Sequence, residues 1–396
     1  MARRIPSLLL GSLLLLVSAC TDQLTTAPQQ AQLSTGTDES AEYEAIILDG
    51  GMGYAAGIND AGVIAGTVGG GASYYAAVRW VVSSAGVSGP EKLGELPYPF
   101  HEAYAQHVHA MNSTGAVVGV AFGGVGRQWD GAWVYTDEMK LLPGFAGDTH
   151  RSAANGINDK GIAVGWIVFD DRAADGTVTD RLERGAVWVS TDMAPLLLPP
   201  LPGHHASSAG SINSDGLVTG SSRGAGPYEY VTWRINDAGE LTDGPHPLAA
   251  GFFPAAVNDA GDIAGSQQQP GGGTRAAFLR GGQVMALAPL NAKDESSGAR
   301  GIGEAGTNGV VLVVGRSGSM PVLWTVDANG EAGGPRELGL PKGSFHWALP
   351  HSVNAQGWIV GYSTPRNSGT QPTLWLPRQS GGGDDGSCTH PKGKCK

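Results

Sequence analysis

Along this chain the apolar residues come in short bursts. Runs such as VIAG, AVVG and WIVG are bounded by clusters of Asn, Asp, Ser and Gly, and no segment repeats apolar residues at the spacing of an amphipathic helix. The phrase GINDAGVIAG at 57–66 returns as GINDKGIAVG at 156–165, and more loosely as AMNSTGAVVG, SINSDGLVTG, AVNDAGDIAG, GIGEAGTNGVVLVVG and SVNAQGWIVG. Its column of Asn59, Asn112, Asn158, Asn213, Asn258, Gly303 and Asn354 advances by 53, 46, 55, 45, 45 and 51 residues. A period near fifty predicts one supersecondary unit written repeatedly, not two or three unrelated domains.

Each unit has a readable local logic. The Asn caps its own backbone, and a glycine takes the positive φ that side chains resist, so the phrase predicts a hairpin with Gly62, Gly115, Gly161, Gly216, Gly261, Gly306 and Gly357 at the turn. A third strand follows, carrying Trp80, Trp133, Trp188, Trp233, Leu279, Trp324 and Trp375, at 20 or 21 residues past the Asn column except for 30 in the third unit. Such constancy assigns the tryptophan one packing slot between neighbouring units. A fourth strand is legible in KLGELP, KLLPGF, LLLPPLP, VMALAPL and RELGLP. Four strands per unit and no helical period predict an all-β, seven-bladed β-propeller of four-stranded antiparallel blades. The last unit stops at its third strand, PTLWLP, and the segment YEAIILDG precedes the first hairpin, so the N-terminal strand is expected to close the last blade.

Composition agrees: 63 glycines and 15% charged residues suit tight turns and strands better than helices. With 25 basic against 36 acidic residues the chain is a poor partner for nucleic acid, which needs clustered Lys and Arg. The ends are different in kind. Residues 1–19, with Arg3, Arg4 and an apolar run from Leu8 to Val17, read as a secretion signal. VSAC resembles the lipobox of bacterial lipoproteins, which implies that Cys20 is diacylated and anchors an exported protein to the cell envelope, at the outer membrane or the cell surface. Residues 20–42 read as a flexible spacer, 43–378 as the propeller, and 379–396 as a flexible tail. In that tail Cys388 and Cys395 are expected to form a disulfide; with His390 they supply only three metal ligands.

The repeat as a whole, with its small residue, IN, turn glycine, VVG and alanine-aromatic pair, resembles the HAF repeat of bacterial extracellular proteins over 43–378. The His-Ala-Phe triplet is represented here only by Ala132-Trp133 and Ala277-Phe278. The resemblance implies an exported, repeat-built protein and transfers no activity.

Function is sought in the connections that share one propeller face. The outer-to-inner loops hold most of the histidines, and with the second-to-third loops they predict a ligand platform of His107, His109, His150, His205, His346, Trp129, Tyr74, Tyr75, Tyr228 and Trp347 converging on the axis. His246 in GPHPLAAG is counted beside these loops. The insertion FDDRAADGTVTDRLERG is read as a long loop whose Asp171, Asp175 and Asp180 are the candidate calcium ligands; calcium is the one cofactor left open. No nucleophile elbow, P-loop or HExxH motif is present. Two functions are carried forward: a noncatalytic, monomeric binder of a glycan, peptide or cell-surface protein, and a propeller hydrolase or lyase acting on an extracellular polysaccharide or peptide.

Overall fold

A computed structural model of the chain describes residues 42–69, 74–96, 105–123, 129–145, 151–172, 177–343, 345–366 and 369–378. The expectations for the signal peptide, most of the spacer, the tail, Cys20, Cys388 and Cys395 lie outside these residues.

Every regular element among the described residues is a strand, and there are twenty-eight. Met52–Ile58, Val63–Gly69, Tyr75–Ser83 and Gly86–Lys92 pair antiparallel in chain order to make a first set of four. The same meander recurs from Ala105, Arg151, Ala206, Phe252 and Ser297. The last set has three strands in sequence, Phe345–Val353, Ile359–Pro365 and Gln371–Pro377, and takes its outer strand from the start of the chain. Tyr43–Ile47 lies antiparallel to Gln371–Pro377, with Tyr43 opposite Pro377 and Ile47 opposite Thr373. The fold is therefore all-β and propeller-like, with the N-terminal strand where the sequence placed it.

The repeated phrase is the hairpin between first and second strands, and its Asn works in two directions. In the third set the Asn158 Oδ1 accepts from the amides of Lys160 and Ile162 at 3.1 and 3.0 Å, which ties its own turn. Its Nδ2 donates to the Asn213 carbonyl of the next set at 3.1 Å. Asn112 reaches Asn158, Asn213 reaches Asn258 and Asn258 reaches Gly303 in the same way. The acidic residue beside the Asn adds a second tie: Asp159, Asp259, Glu304 and Asp60 each accept an amide of the preceding set's turn. A buried amide side chain must satisfy both its donor and its acceptor, and here the neighbouring repeat supplies what the local turn lacks.

Six turn glycines take positive φ as expected, from 75° at Gly216 and Gly357 to 91° at Gly115. The sixth set is a correction. There Gly309, at φ 73°, holds the place assigned to Gly306, because the turn has slid three residues: Gly306 donates to Val310 O, the role Asn158 plays toward Ile162 O. Without an Asn at 303 no side chain holds the turn at its usual position. The same turn chemistry also closes two third-to-fourth hairpins, at Asn236 and Asp327, which the repeat pattern did not single out.

The tryptophan column is buried between sets. Trp80, Trp133, Trp188, Trp233, Trp324 and Trp375 are at most 1% exposed. Trp133 packs with Ala65, Ala77 and Leu93 of the set before it, and Trp80 packs with Val360 and Leu374 of the last set. Burying a tryptophan removes roughly 200 Å² from water, which is on the order of 5 kcal/mol before conformational entropy is counted. Most indole nitrogens also reach the preceding set's outer edge: Trp188 donates to Pro143 O, Trp233 to Pro199 O, Trp324 to Ala288 O and Trp375 to Gly339 O, whereas the Trp133 Nε1 has no partner among the described residues. Trp80 donates to Asp49 O, just past the N-terminal strand, so that strand serves the last set as the other outer strands serve theirs.

Candidate binding site

Each inner strand breaks register at the same place, between Ala55 and Gly57, Val108 and Ala110, Ala154 and Gly156, Ala209 and Ser211, Pro254 and Ala256, Ala299 and Gly301, and Pro350 and Ser352. A bulge leaves one residue unpaired and re-aims its side chain. The residues so placed are Ala56, His109, Asn155, Gly210, Ala255, Arg300 and His351, always three positions before the Asn column. Three of them tie one set to the next through the carbonyl preceding the neighbour's bulge. His109 Nδ1 donates to Ala154 O at 3.0 Å, Asn155 Nδ2 to Ala209 O at 2.8 Å, and His351 Nδ1 to Ala55 O at 3.2 Å. Desolvation pushes the His351 pKa down to about 4 and lowers that of His109, so both imidazoles are neutral and carry their proton on Nδ1.

Next to this column an arc of rings runs across the last, first and second sets. Trp347 meets Tyr362 at 5.2 Å between centroids, Tyr362 meets His351 edge-on at 5.2 Å, and His351 meets Tyr54 at 6.0 Å. Tyr54 stacks on His107 at 6.1 Å with planes 10° apart, and His107 touches Tyr75 and Phe122, each at 5.5 Å. The Tyr54 hydroxyl donates to Val108 O at 3.0 Å and accepts from His107 Nδ1 at 3.2 Å, which fixes both rings. Burial raises the Tyr54 pKa to about 12, so the phenol stays neutral. All seven rings are half-buried, leaving faces and edges open to a ligand.

A second region is a cleft of about 390 Å³ at the third and fourth sets, lined by Arg151, Asp180, Arg181, Glu183, His205 and Arg223 among others. Its guanidiniums are already matched. Arg151 pairs with the buried Asp130, Arg181 with Asp170 at 3.3 Å, and Arg223 with Glu183 at 3.4 Å; Arg223 also reaches the Tyr228 hydroxyl at 3.0 Å. The cleft is polar but internally neutralised.

The predicted platform is thus divided. His107, Tyr75 and Trp347 enter the arc, with exposed Tyr74 and His346 beside Tyr75 and Trp347 in the chain; His205 and Tyr228 belong to the cleft. His109 is in the bulge column. Trp129 starts a strand, but its side chain, like His150 and Asp175, lies outside the described residues. His246 stands near the end of the outer strand Leu241–Pro247, opposite Thr232, and bonds Asp243 at 2.8 Å. The acidic insertion is also not a plain loop. Ala163–Arg172 and Val178–Trp188 extend into a two-stranded ribbon in which Asp171 stands opposite Asp180, both exposed. Among the described residues no three His, Cys, Asp or Glu side chains group closely enough to hold a metal. Tyr54, His351 and Tyr362 were missed because attention went to loops. The signal was in the strands: Tyr54, like His107, stands five before the Asn, His351 three before it, and Tyr362 just after the second-strand glycine.

No family model matches the sequence. No curated protein matches it either. Solved structures resemble it in architecture: TolB from Acinetobacter baumannii at 10% identity and TM-score 0.39, over 83% of this chain and 66% of that one. A family PL25 polysaccharide (ulvan) lyase gives 10% and 0.48, over 81% and 94%. Prolyl oligopeptidase B from Galerina marginata gives 10% and 0.48, over 84% of this chain and 49% of the peptidase. The chain spans just under two thirds of TolB and about half of the peptidase. At these identities the likeness assigns no activity or ligand.

Proposed function

We propose that this is an exported lipoprotein of the HAF-repeat kind, anchored through Cys20, whose body is a closed seven-bladed propeller that binds a glycan without chemically changing it. The observation that carries the reading is the arc of seven half-buried rings shared by three consecutive sets. Aromatic faces held by packing and by the hydrogen bonds of Tyr54 and His351 are preorganised, and a sugar ring, apolar on its C–H face and polar at its rim, matches surfaces of that kind. The contact between the last and first sets supports the same reading, since it brings His351, with Tyr362 and Trp347 behind it, against Tyr54.

A glycan array followed by calorimetry tests it. The wild type is expected to bind at least one oligosaccharide and return it unchanged, and Tyr54→Ala with Trp347→Ala is expected to abolish binding while Tyr228→Ala leaves it intact. Release of shortened or unsaturated products would replace the binder with the enzyme alternative. Cys20→Ala is expected to move the protein from the membrane to the soluble fraction.

A further inference from the structure

The two columns that supply His351 and Tyr362 carry arginine in the sixth set. Arg300 occupies the inner-strand bulge, as His351 does in the last set, and Arg316 follows Gly315 as Tyr362 follows Gly361. The sets are in contact at this level: a Cβ built on Gly301 would lie 2.3 Å from the His351 carbonyl. The positive charge of Arg300 helps lower the pKa of His351, and Arg300 and Arg316 both act on Tyr362, so the two guanidiniums are within electrostatic reach of those rings.

Neither arginine is held by a carboxylate among the described residues, and Arg184 and Arg275 likewise bond only backbone carbonyls. Arg79, Arg151, Arg181, Arg223, Arg280 and Arg336 each pair with a carboxylate. Arg316 donates to the Gly318 carbonyl at 2.6 Å, and the exposed Arg300 makes no hydrogen bond or ion pair among the described residues. In a chain of net charge −11, two guanidiniums without carboxylate partners at the end of a row of rings form a local positive site. A guanidinium in that condition keeps its forked donors for a carboxylate or sulfate, which it binds bidentately.

We propose that the ligand of the arc is an acidic polysaccharide whose carboxylate or sulfate groups dock on Arg300 and Arg316 while its sugar rings lie along His351, Tyr362 and Tyr54. This rests on the glycan-binding reading and narrows it to a charged class.

The test is calorimetry of the full chain with a galacturonate hexamer, its methyl ester, a κ-carrageenan hexasaccharide and its desulfated form. The acidic probes are expected to bind more tightly than their neutral counterparts, and to weaken with added salt. Arg300→Gln with Arg316→Gln should cost the acidic probes about 10- to 100-fold in affinity and the neutral ones nothing. Arg300→Lys, which keeps the charge and loses the fork, should fall between and guards against misfolding, with melting temperature as the control. Preference for galacturonate alone or for carrageenan alone identifies the anion as carboxylate or sulfate. Equal binding of acidic and neutral probes, or arginine variants that bind the acidic probes as well as wild type, overturns the acidic class and leaves the glycan binder standing. Binding of none of the four by the wild type overturns both.

Discussion

Asn354 donates its Nδ2 hydrogen to the carbonyl of Asn59 at 3.0 Å, across 295 positions of sequence. The bond repeats between the ends of the chain what Asn112, Asn158 and Asn213 do between neighbours, and Ala355 N to Asp60 Oδ1 at 2.9 Å repeats the acidic tie. Asn354 Oδ1 also accepts from Gln356 and Trp358. Asn354→Ala therefore strands two turn amides and removes one of the ties between last and first sets. It is expected to destabilise the protein by about 2–4 kcal/mol, read by denaturant unfolding. A change below 0.5 kcal/mol would mean that the ladder adds nothing at this seam.

Two turn glycines should separate conformational cost from steric cost. Gly161 has φ 79° and open space where a Cβ would go, so Gly161→Ala should cost about 1 kcal/mol from the backbone alone. Gly216 has φ 75°, but its Cβ would lie 2.2 Å from Ile235 O, so Gly216→Ala must also shift a third-strand backbone. Thermal melts of the two variants should rank Gly216→Ala clearly lower; equal melts would contradict the geometry.

Trp188, 1% exposed, packs between the second and third sets and donates to Pro143 O at 2.9 Å. Trp188→Ala is expected to cost about 3–5 kcal/mol. Trp188→Phe should recover most of that by refilling the cavity while losing only the hydrogen bond. An unchanged unfolding midpoint for the alanine variant would place the side chain elsewhere.

His351 gives a pH dependence with a defined sign. Its folded pKa of about 4 is depressed by desolvation from the ordinary 6.5, so between those values the unfolded chain binds more protons than the folded one. Stability is fully present above pH 6.5 and is lost as the pH falls toward 4, by an amount on the order of 3 kcal/mol from this group. Arg300, Tyr54 and Tyr362 face it; the arginine and the neutral phenols keep their charge state over that window, while His109 adds a slope of the same sign. His351→Asn retains a donor for Ala55 O, as Asn155 does for Ala209 O, and should flatten the profile between pH 6.5 and 4 with little change at pH 7.5. Urea unfolding across that range is the measurement, and an unaltered slope would assign the titration to another group.

What the sequence determined by itself is local and periodic. Asn and Gly choose a turn through backbone contacts within five residues, and an apolar alternation chooses a strand, so the repeated phrase was enough to place six of the seven turns and the tryptophan slots, and the strand missing from the last unit placed Tyr43–Ile47 against it. The slipped turn at Gly309 was not legible, because Gly303 and Gly306 match the phrase equally well and only hydrogen bonding chooses between them. The site was decided by tertiary structure. A bulge turns Arg300 and His351 out of the pleat, and the meeting of the last set with the first brings Trp347, Tyr362 and His351 beside Tyr54 and His107. Side-chain type is written one residue at a time, but the faces of strands distant in the chain become neighbours only when packing brings their sets together.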